Sequence, residues 1–410
     1  MTDSPLSPNP VPGTVQLARP PEVSPDTAPS LSLPRRLFRA LAVPILAVFT
    51  AVIIGSVFIL LAGFDPFLAF GGLLQGALGS DVAITRTLLK MTPLILSGLA
   101  VALAFKGGLF NIGAQGQLVI GSLCAAIMGY AVYGLPPLLH VGLCLLAGVL
   151  GGAAWGFLPG FLKARTGAHE VITTIMLNYI AVLFVEWAVA PGRPNSLPGP
   201  FAFCLTQGQC ESNPNRTPPL LESAYLPPIY VPGGRNPSEY LHLGVIVAVI
   251  VAILVGILLF KTTFGFELRM VGLNPNAARY AGIKVGRMTI ITMVLAGALA
   301  GLAGAIQVTG VNHDFQTNQN LATGFDSIAV ALLAGSNPVG IIPSAFLFGA
   351  LDAGTTQMQF ASRVSGELIR VMQALILMFV AADQIIRGLY RIKGGTSEGK
   401  ITLSSTWGQR

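Results

Sequence analysis

The most restrictive feature of this sequence is a set of long stretches that contain no Asp, Glu, Lys or Arg. They are Ala40–Phe64, Gly107–Leu162, Leu241–Phe260, Met288–His313 and Ser327–Leu351. A helix needs about 20 consecutive apolar residues to cross the hydrocarbon core of a bilayer, and every stretch reaches that length. Only 10% of the residues are charged, against about 25% in soluble proteins. These features exclude an ordinary soluble enzyme and indicate a membrane protein.

The same stretches predict an all-α fold, a polytopic membrane helical bundle. Apolar residues run continuously and do not alternate with polar ones, so helices are favoured over a barrel. Turn residues at Gly134–Pro137 divide one stretch into two spans, and Ser336–Pro338 divide another. Shorter apolar runs with a few charges add Val82–Phe105, Val171–Ala190 and Glu367–Gly388. The prediction is about ten transmembrane helices.

The distribution of basic residues predicts the orientation of the bundle. Most of the 24 Lys and Arg fall on one side when the spans are threaded in order, and basic loops stay in the cytoplasm. We therefore expect cytoplasmic termini, with residues 1–34 a disordered tail, 35–394 the membrane domain and 395–410 a second tail. Loop 191–240 lies outside the cell and loop 261–287 inside. No basic cluster with interleaved aromatics is present, so nucleic acid is not an expected partner.

Several motifs of catalytic and nucleotide-binding proteins are missing from the sequence. It contains no phosphate-binding loop and no nucleophile elbow, and its four His residues are scattered. We therefore expect no enzyme activity, no metal site and no ATP site on this chain. In the large outer loop, Cys204 and Cys210 either form a small disulfide or remain two unpaired thiols.

A polar segment at the start of an apolar span is the first candidate functional site. Asn111, Gln115 and Gln117 follow one another there among glycines, next to Phe110, and Asn178 lies two turns inside a later span. Buried amides are costly unless they are satisfied. Two interpretations stay open: a broken helix that lines a solute path, or amides that cap the helix and bond neighbouring helices.

The inner loop contains a second candidate site. Asn274 is a good N-cap, Pro275 suits the first helical position and Gly282 a helix end, so a helix of about two turns is expected. Small residues on one face of this helix would suit docking into a groove of a partner, which we favour over an amphipathic helix lying on anionic lipid. The residues of that face are Ala277, Ala278 and Ala281.

Ionisable residues near or within the spans form a third group. Glu367 and Arg370 are three residues apart and can pair on one helix face. Asp326 either caps a short span or has a functional role. Charged residues within a bilayer are functional candidates, and an ion-coupled secondary transporter would use Asp326, Asp352, Glu367 or Asp383. A membrane-embedded scaffold is a weaker alternative.

Three segments carry a resemblance to a known family. The runs Gly108–Gln117, Glu170–Tyr179 and Gly272–Ile283 resemble permease subunits of bacterial ATP-binding cassette importers, in the nucleoside and simple-sugar branch of the branched-chain amino acid/ribose superfamily. The likeness covers about residues 40–390 in the same order. It implies a multi-pass protein of the bacterial inner membrane that works with a second permease chain, two ATPase subunits and an extracytoplasmic solute-binding protein. ATP and Mg would be bound by the ATPase and not by this chain.

The resemblance also assigns roles to the candidate residues. The inner loop is similar to the coupling helix that such permeases insert into the ATPase, with Gly272, Asn274, Pro275, Ala277, Ala278, Ala281 and Gly282. A nucleoside ranks first as the solute on the resemblance alone, with a simple sugar or a branched-chain amino acid as alternatives. Its contacts would come from Phe110, Asn111, Gln115, Gln117 and Asn178.

Overall fold

The computed structural model describes residues 33–190, 216–232, 240–317 and 322–381, and side chains between residues 45 and 379 of these ranges. The chain divides into two compact units, Met1–Ala42 and Val43–Arg410. The described part of the first unit is the beginning of helix α1. Everything described below from Val43 onward belongs to the second unit.

Helices dominate the described residues. Their bounds are α1 Leu33–Leu61, α2 Pro66–Leu78, α3 Asp81–Lys106, α4 Ala114–Ala131, α5 Pro137–Thr166, α6 Glu170–Ala188, α7 Gly244–Lys261, α8 Thr263–Leu273, α9 Pro275–Tyr280, α10 Val285–Gln307, α11 Thr323–Leu333, α12 Pro338–Ser362 and α13 Glu367–Ala381. A π-helical turn, Val308–Asn312, extends α10. The short strands β1, Pro228–Tyr230, and β2, Leu241–His242, pair antiparallel.

The predicted all-α membrane bundle is confirmed. Seven helices within the described ranges are long and apolar enough to cross a membrane, and Ile45–Leu61, α2 and α11 are shorter apolar helices. The predicted turn at Gly134–Pro137 separates α4 from α5. The break at Asn337 is also present, because its side chain caps α12 by accepting a hydrogen bond from Val339 N at 3.1 Å. The total of ten spans stays a prediction.

Two helices of the structure, α2 and α8, were not predicted from the sequence. α2 follows a helix start that the sequence does signal, since Asp65 caps it and Pro66 opens it. α8 fills the first half of the inner loop and starts at the N-cap Thr262, whose hydroxyl accepts from Gly265 N at 3.1 Å. Each is shorter than a span, so neither produced a long apolar stretch.

α3 lies at the centre of the bundle. Its side chains from Met91 to Ala104 are all buried, which requires protein on every side of this part of the helix. α10, α11 and α12 pack around it. Such all-round burial explains why the part of α3 from Met91 to Ala104 carries no charged residue on any face.

α5 and α10 are joined along a seam of glycines. A Cβ at Gly152 would overlap the carbonyl oxygen of Gly297, and one at Gly301 would overlap that of Gly148. Gly156 meets Met293 O in the same way. Glycines spaced by four residues let two membrane helices approach until their backbones touch. This close packing fixes α5 against α10.

The two ends of the bundle carry different polar contacts. The end that carries α9, called here the α9 end, contains Lys163, which pairs with Glu170 at 2.6 Å. The opposite end, called the hairpin end, carries β1 and β2. There Tyr230 donates a hydrogen bond to Asp81 at 3.2 Å. The assignment of the α9 end to the cytoplasm stays a prediction.

Several sequence predictions lie outside the described residues. They concern Cys204, Cys210 and Asp383, most of the tail 1–34 and all of the tail 395–410. Leu33 and Pro34, the last residues of the predicted N-terminal tail, belong to α1.

Candidate functional site

Two helices begin within the bundle rather than at its surface. α4 starts at Ala114, and its N–H of Gly116 donates to Asn178 Oδ1 at 2.8 Å. Asn178 is eight residues beyond the start of α6 at Glu170, which corresponds to a depth of roughly 12 Å. α11 has only 11 residues and spans roughly 16 Å. Its start lies at the same level as that of α4, because Gly324 contacts Gln115.

Asn178 holds the non-helical segment before α4. Besides accepting from Gly116 N, its amide nitrogen donates to the carbonyl of Ile112 at 2.9 Å. The side chain is buried. One side chain of α6 thus satisfies a donor and an acceptor that the start of α4 leaves free.

Asn111 and Gln117 form a closed pair. Asn111 Nδ2 donates to Gln117 Oε1 at 2.9 Å, and Gln117 Nε2 donates to Asn111 Oδ1 at 3.1 Å. Both side chains are buried. This pairing bends the segment before α4 back against the first turns of the helix.

Gln115 joins α4 to α11. Its Oε1 accepts a hydrogen bond from Gly324 N at 2.8 Å, and the side chain is buried. A Cβ at Gly324 would overlap the backbone of Gln115, so the glycine is required for this approach. The two helix starts therefore meet directly at mid-depth.

The structure brings together four of the five predicted pathway residues, which we call the amide cluster: Asn111, Gln115, Gln117 and Asn178. Phe110 is placed differently, because its ring packs edge-on against Phe105 with 5.2 Å between centroids. In this conformation the amides bond the backbone and one another. Their contact with a solute stays a prediction.

The predicted helix of the inner loop is present as α9. Asn274 Oδ1 accepts from Asn276 N and Ala277 N at 3.0 and 3.1 Å, and Pro275 opens the helix. Gly282 has a φ of +84°, a left-handed conformation that glycine adopts without cost. The second half of the inner loop, from Asn274 to Gly282, is as the sequence predicted.

The face of small residues on α9 differs from the expectation. Ala278 is fully buried within the chain, whereas Ala277 and Ala281 are exposed. Alanines at these positions do not share one face because Ala278 points toward the rest of the bundle. Tyr280, which the sequence reasoning passed over, is 95% exposed. The exposed residues on this side of α9 are Ala277, Tyr280 and Ala281, and their docking to a partner stays a prediction.

Gly272 connects the α9 end to the segment that leads to the amide cluster. A Cβ at Gly272 would overlap Lys106 O, and one at Gly108 would lie 2.8 Å from Gly272 Cα. Gly108 has a φ of +72°. The last turn of α8 thus packs backbone to backbone against the turn three residues before Asn111.

The ionisable residues form pairs at the hairpin half of the bundle. Arg370 lies 3.5 Å from Glu367, which confirms the predicted pairing. Asp352 pairs with Lys90 of α3 at 3.0 Å. The alternative that Asp326 caps α11 is wrong, because Ala322 is the N-cap and Asp326 lies inside the first turn.

A cluster of histidine and tyrosine side chains at the hairpin end was not predicted from the sequence. The His313 ring stacks on Tyr225 with 3.8 Å between centroids, and Tyr240 lies 3.3 Å from His313 Nε2. His313 has a φ of 58° and directly follows the π-helical turn. Left-handed residues other than glycine and π-helical turns both concentrate at functional sites.

Burial controls the charge of these histidines. It lowers the pKa of His242 to about 4, with a smaller contribution from the neighbouring His313. Burial also lowers the pKa of His313, although Asp314 opposes that change. Both rings are therefore neutral when this end of the bundle is packed at neutral pH.

Comparison with known proteins places this architecture in a family. The family described as "Branched-chain amino acid transport system / permease component" matches residues 83–381. The chain belongs to this family. Its matched region contains the amide cluster, α9 and the ion pairs. This permease is thus a membrane transport subunit rather than an enzyme.

Curated relatives match the permease over most of their length. It is 38% identical to the guanosine ABC transporter permease protein NupP of Bacillus subtilis, over 85% of this chain and 94% of the relative. Identity to the nucleoside ABC transporter permease protein NupB of Lactococcus lactis is 36%, over 85% and 92%. The glucose ABC transporter permease protein TsgB13 of Haloferax volcanii is 32% identical, over 86% and 90%. No solved structure matches the permease.

Proposed function

We propose that this chain is the permease of a nucleoside importer driven by ATP hydrolysis on separate subunits. The observation that carries the proposal is the identity of 38% and 36% to a guanosine and a nucleoside permease over nearly their whole length. It acts in the inner membrane of a bacterial cell, with the α9 end in the cytoplasm. A second permease chain completes the pathway, and a solute-binding protein delivers the nucleoside to the hairpin end.

The amide cluster supports this function at the level of chemistry. Amide groups donate and accept at once, as the edges of a nucleobase and the hydroxyls of ribose do. In this structure the hydrogen-bonding groups of Asn111, Gln117 and Asn178 are satisfied by the protein itself. In the transport cycle these groups exchange internal bonds for bonds to the solute, so buried amides are never left unpaired.

The position of α9 supports an external source of energy. Tyr280 and its exposed neighbours form a protrusion at the α9 end, and Gly272 ties that protrusion to the segment before Asn111. An ATPase that grips α9 can therefore bias the arrangement of the amide cluster. This favours an importer driven by ATP over an ion-coupled transporter.

Uptake measurements test the proposal directly. Cells that carry the complete transporter should accumulate labelled guanosine, and deletion of the ATPase should abolish uptake while the ion gradients stay intact. Unlabelled purine nucleosides should compete, and ribose and leucine should not. Uptake that persists without the ATPase would contradict the proposal.

Glucose is the second candidate solute, because a glucose permease is 32% identical to this chain over 90% of that relative. Both solutes carry several hydroxyls, so the amide cluster suits either. Competition decides between them: inhibition of guanosine uptake by adenosine but not by a large excess of glucose supports the nucleoside.

A further inference from the structure

The ion pair between Lys90 and Asp352 is separate from the amide cluster and from α9. Lys90 Nζ lies 3.0 Å from Asp352 Oδ2, and the two side chains are 56% and 52% exposed on this chain. Each residue belongs to a helix that is apolar enough to span a membrane. Nothing in the amide cluster or in α9 uses these two charges.

Both charges lie well inside the span. Lys90 is nine residues beyond the start of α3 at Asp81, a distance of roughly 13 Å along the helix. Asp352 is ten residues before the end of α12 at Ser362, or roughly 15 Å. A charged side chain at the centre of a bilayer costs about 3 kcal/mol on insertion scales, and more in simulations. A half-exposed pair at this depth therefore does not face lipid.

Further polar groups surround the pair. Asp326 at the start of α11 interacts electrostatically with Asp352 and Arg370. Arg86 is exposed one turn away from Lys90 on the same face of α3. α11 itself begins at mid-depth, where its Gly324 bonds Gln115. Irregular backbone and charge at such depth are tolerated only inside protein or along a water-filled cavity.

The exposed face that carries Lys90 and Asp352 meets either another protein chain in a dry contact or a hydrated passage. A dry contact would have to desolvate Lys90 and Asp352 together with the exposed Arg86, and desolvation of buried ion pairs often exceeds their mutual attraction. A hydrated passage leaves these charges in water. The first turn of α11 lies close to them, because its Asp326 interacts electrostatically with Asp352.

We propose that the Lys90–Asp352 pair lines the water-filled path along which the solute crosses this permease. A carboxylate accepts hydrogen bonds from neighbouring hydroxyls and an ammonium group donates to ring nitrogens and carbonyls. The pair can therefore bind a neutral solute rich in hydroxyl groups. Because the ion pair has no net charge, the solute can also be released from it readily. This inference rests on the proposed transport function and assigns the passage to the α3–α12 face.

Cysteine accessibility in the assembled transporter tests the location of the path. The starting protein carries Cys204→Ser and Cys210→Ser, and its labelling sets the background. Lys90→Cys and Asp352→Cys are treated with a charged, membrane-impermeant methanethiosulfonate reagent. Thr356→Cys reports on the same face of α12, one turn from Asp352, and keeps both charges. It remains informative when removal of a charge prevents assembly.

Ile180→Cys is the matched control. Ile180 is 52% exposed on α6 and lies eight residues before the end of that helix at Ala188, or roughly 12 Å deep. We expect the reagent to label positions 90, 352 and 356 at least tenfold faster than position 180, and saturating guanosine to slow that labelling. Equal, slow labelling at all four positions in the assembled transporter would overturn the proposal.

A double variant separates a path from a dry contact. Lys90→Met combined with Asp352→Leu removes both charges and leaves no unpaired partner. Replacement of a dry ion pair by apolar groups is often neutral or stabilising, so unchanged uptake would overturn the proposal. We expect assembly with the ATPase to be retained and uptake to fall at least tenfold. Labelling does not depend on the identity of the solute, so a failure of guanosine uptake alone leaves this test intact.

Discussion

The backbone of Gly108 packs against the backbone of Gly272, with 2.8 Å between Gly272 Cα and the position that a Cβ on Gly108 would occupy. Gly272 lies in the last turn of α8, two residues before Asn274, the N-cap of α9. Gly108 lies three residues before Asn111. No side chain lies between the two backbones, so no flexible group can absorb a displacement of α9 before it reaches Gly108. The contact provides a short connection between α9 and the segment that leads to the amide cluster.

Gly272→Ala should uncouple the ATPase from transport. The added methyl group overlaps Lys106 O and pushes α8 away from the turn at Gly107 and Gly108. We expect guanosine uptake to fall at least tenfold while the ATPase still copurifies. Gly71→Ala is the control, because a Cβ there meets nothing within 4 Å. Normal uptake by Gly272→Ala would show that the contact transmits nothing.

Asn178→Ala should destabilise the start of α4. The change leaves Gly116 N–H and Ile112 C=O without their partner, and each such loss costs about 1–3 kcal/mol when the group stays dry. We expect a lower melting temperature in detergent together with lower uptake. Asn276→Ala, at an exposed position of α9, should leave the melting temperature unchanged. Equal melting temperatures for both variants would argue against a stabilising role of the hydrogen bonds from Asn178 to Gly116 and Ile112.

Tyr280→Ala should weaken the ATPase complex without affecting the fold. The side chain is 95% exposed and makes little contact within the chain. We expect at least a fivefold loss of copurified ATPase at an unchanged melting temperature, and recovery with Tyr280→Phe because the ring supplies the contact area. Ala278→Glu, in contrast, should lower the melting temperature, since that alanine is buried.

Acidification should loosen the hairpin end through His242. Its pKa is lowered to about 4 by burial and then by the neighbouring His313, whereas an unpacked histidine titrates near about 6.5. Between these values the opened state binds a proton and the packed state does not, so packing weakens as the pH falls and is complete above about 6.5. Across this pH range the free energy that favours the packed hairpin end falls by about 3 kcal/mol.

Hydrogen exchange measures this loosening. Leu220 N donates to His313 O at 2.8 Å and Leu226 N donates to Thr309 O at 3.0 Å, so both amides report on the packed state. Their protection, corrected for the intrinsic pH dependence of exchange, should fall between pH 6.5 and pH 4. His242→Gln should flatten the profile, whereas His169→Gln, at the other end of the bundle, should not. Constant protection in the parent protein would refute the assignment.

Much of the helical architecture follows from the sequence because the bilayer imposes strong constraints. Charge-free stretches, the turn at Gly134–Pro137, the break at Ser336–Pro338 and the cap at Asn274 each correspond to a local physical requirement, and the structure has all of them. The burial of Ala278 was not predictable in this way. It depends on which face of α9 meets the rest of the chain, and a helix of 6 residues gives too short a pattern to decide this.

The site was predicted by residue type but not by arrangement. The cost of buried amides identifies Asn111, Gln117 and Asn178 as special, yet it does not say which atoms pair. The bond from Gly324 to Gln115 joins residues 209 positions apart, and no local pattern encodes such a contact. The spacing of Gly148, Gly152 and Gly156 was a readable signal of close helix packing that the sequence reasoning did not use.

The glycine seam limits where this permease can change shape. Wherever α5 and α10 touch through backbone atoms alone, as at Gly152 and Gly297, no rotamer can adjust to let one helix rotate against the other. We therefore expect these two helices to travel as a single rigid piece during each cycle. We expect the hinge to lie outside this seam, where polar side chains hold helices together, as Asn178 of α6 holds the segment before α4.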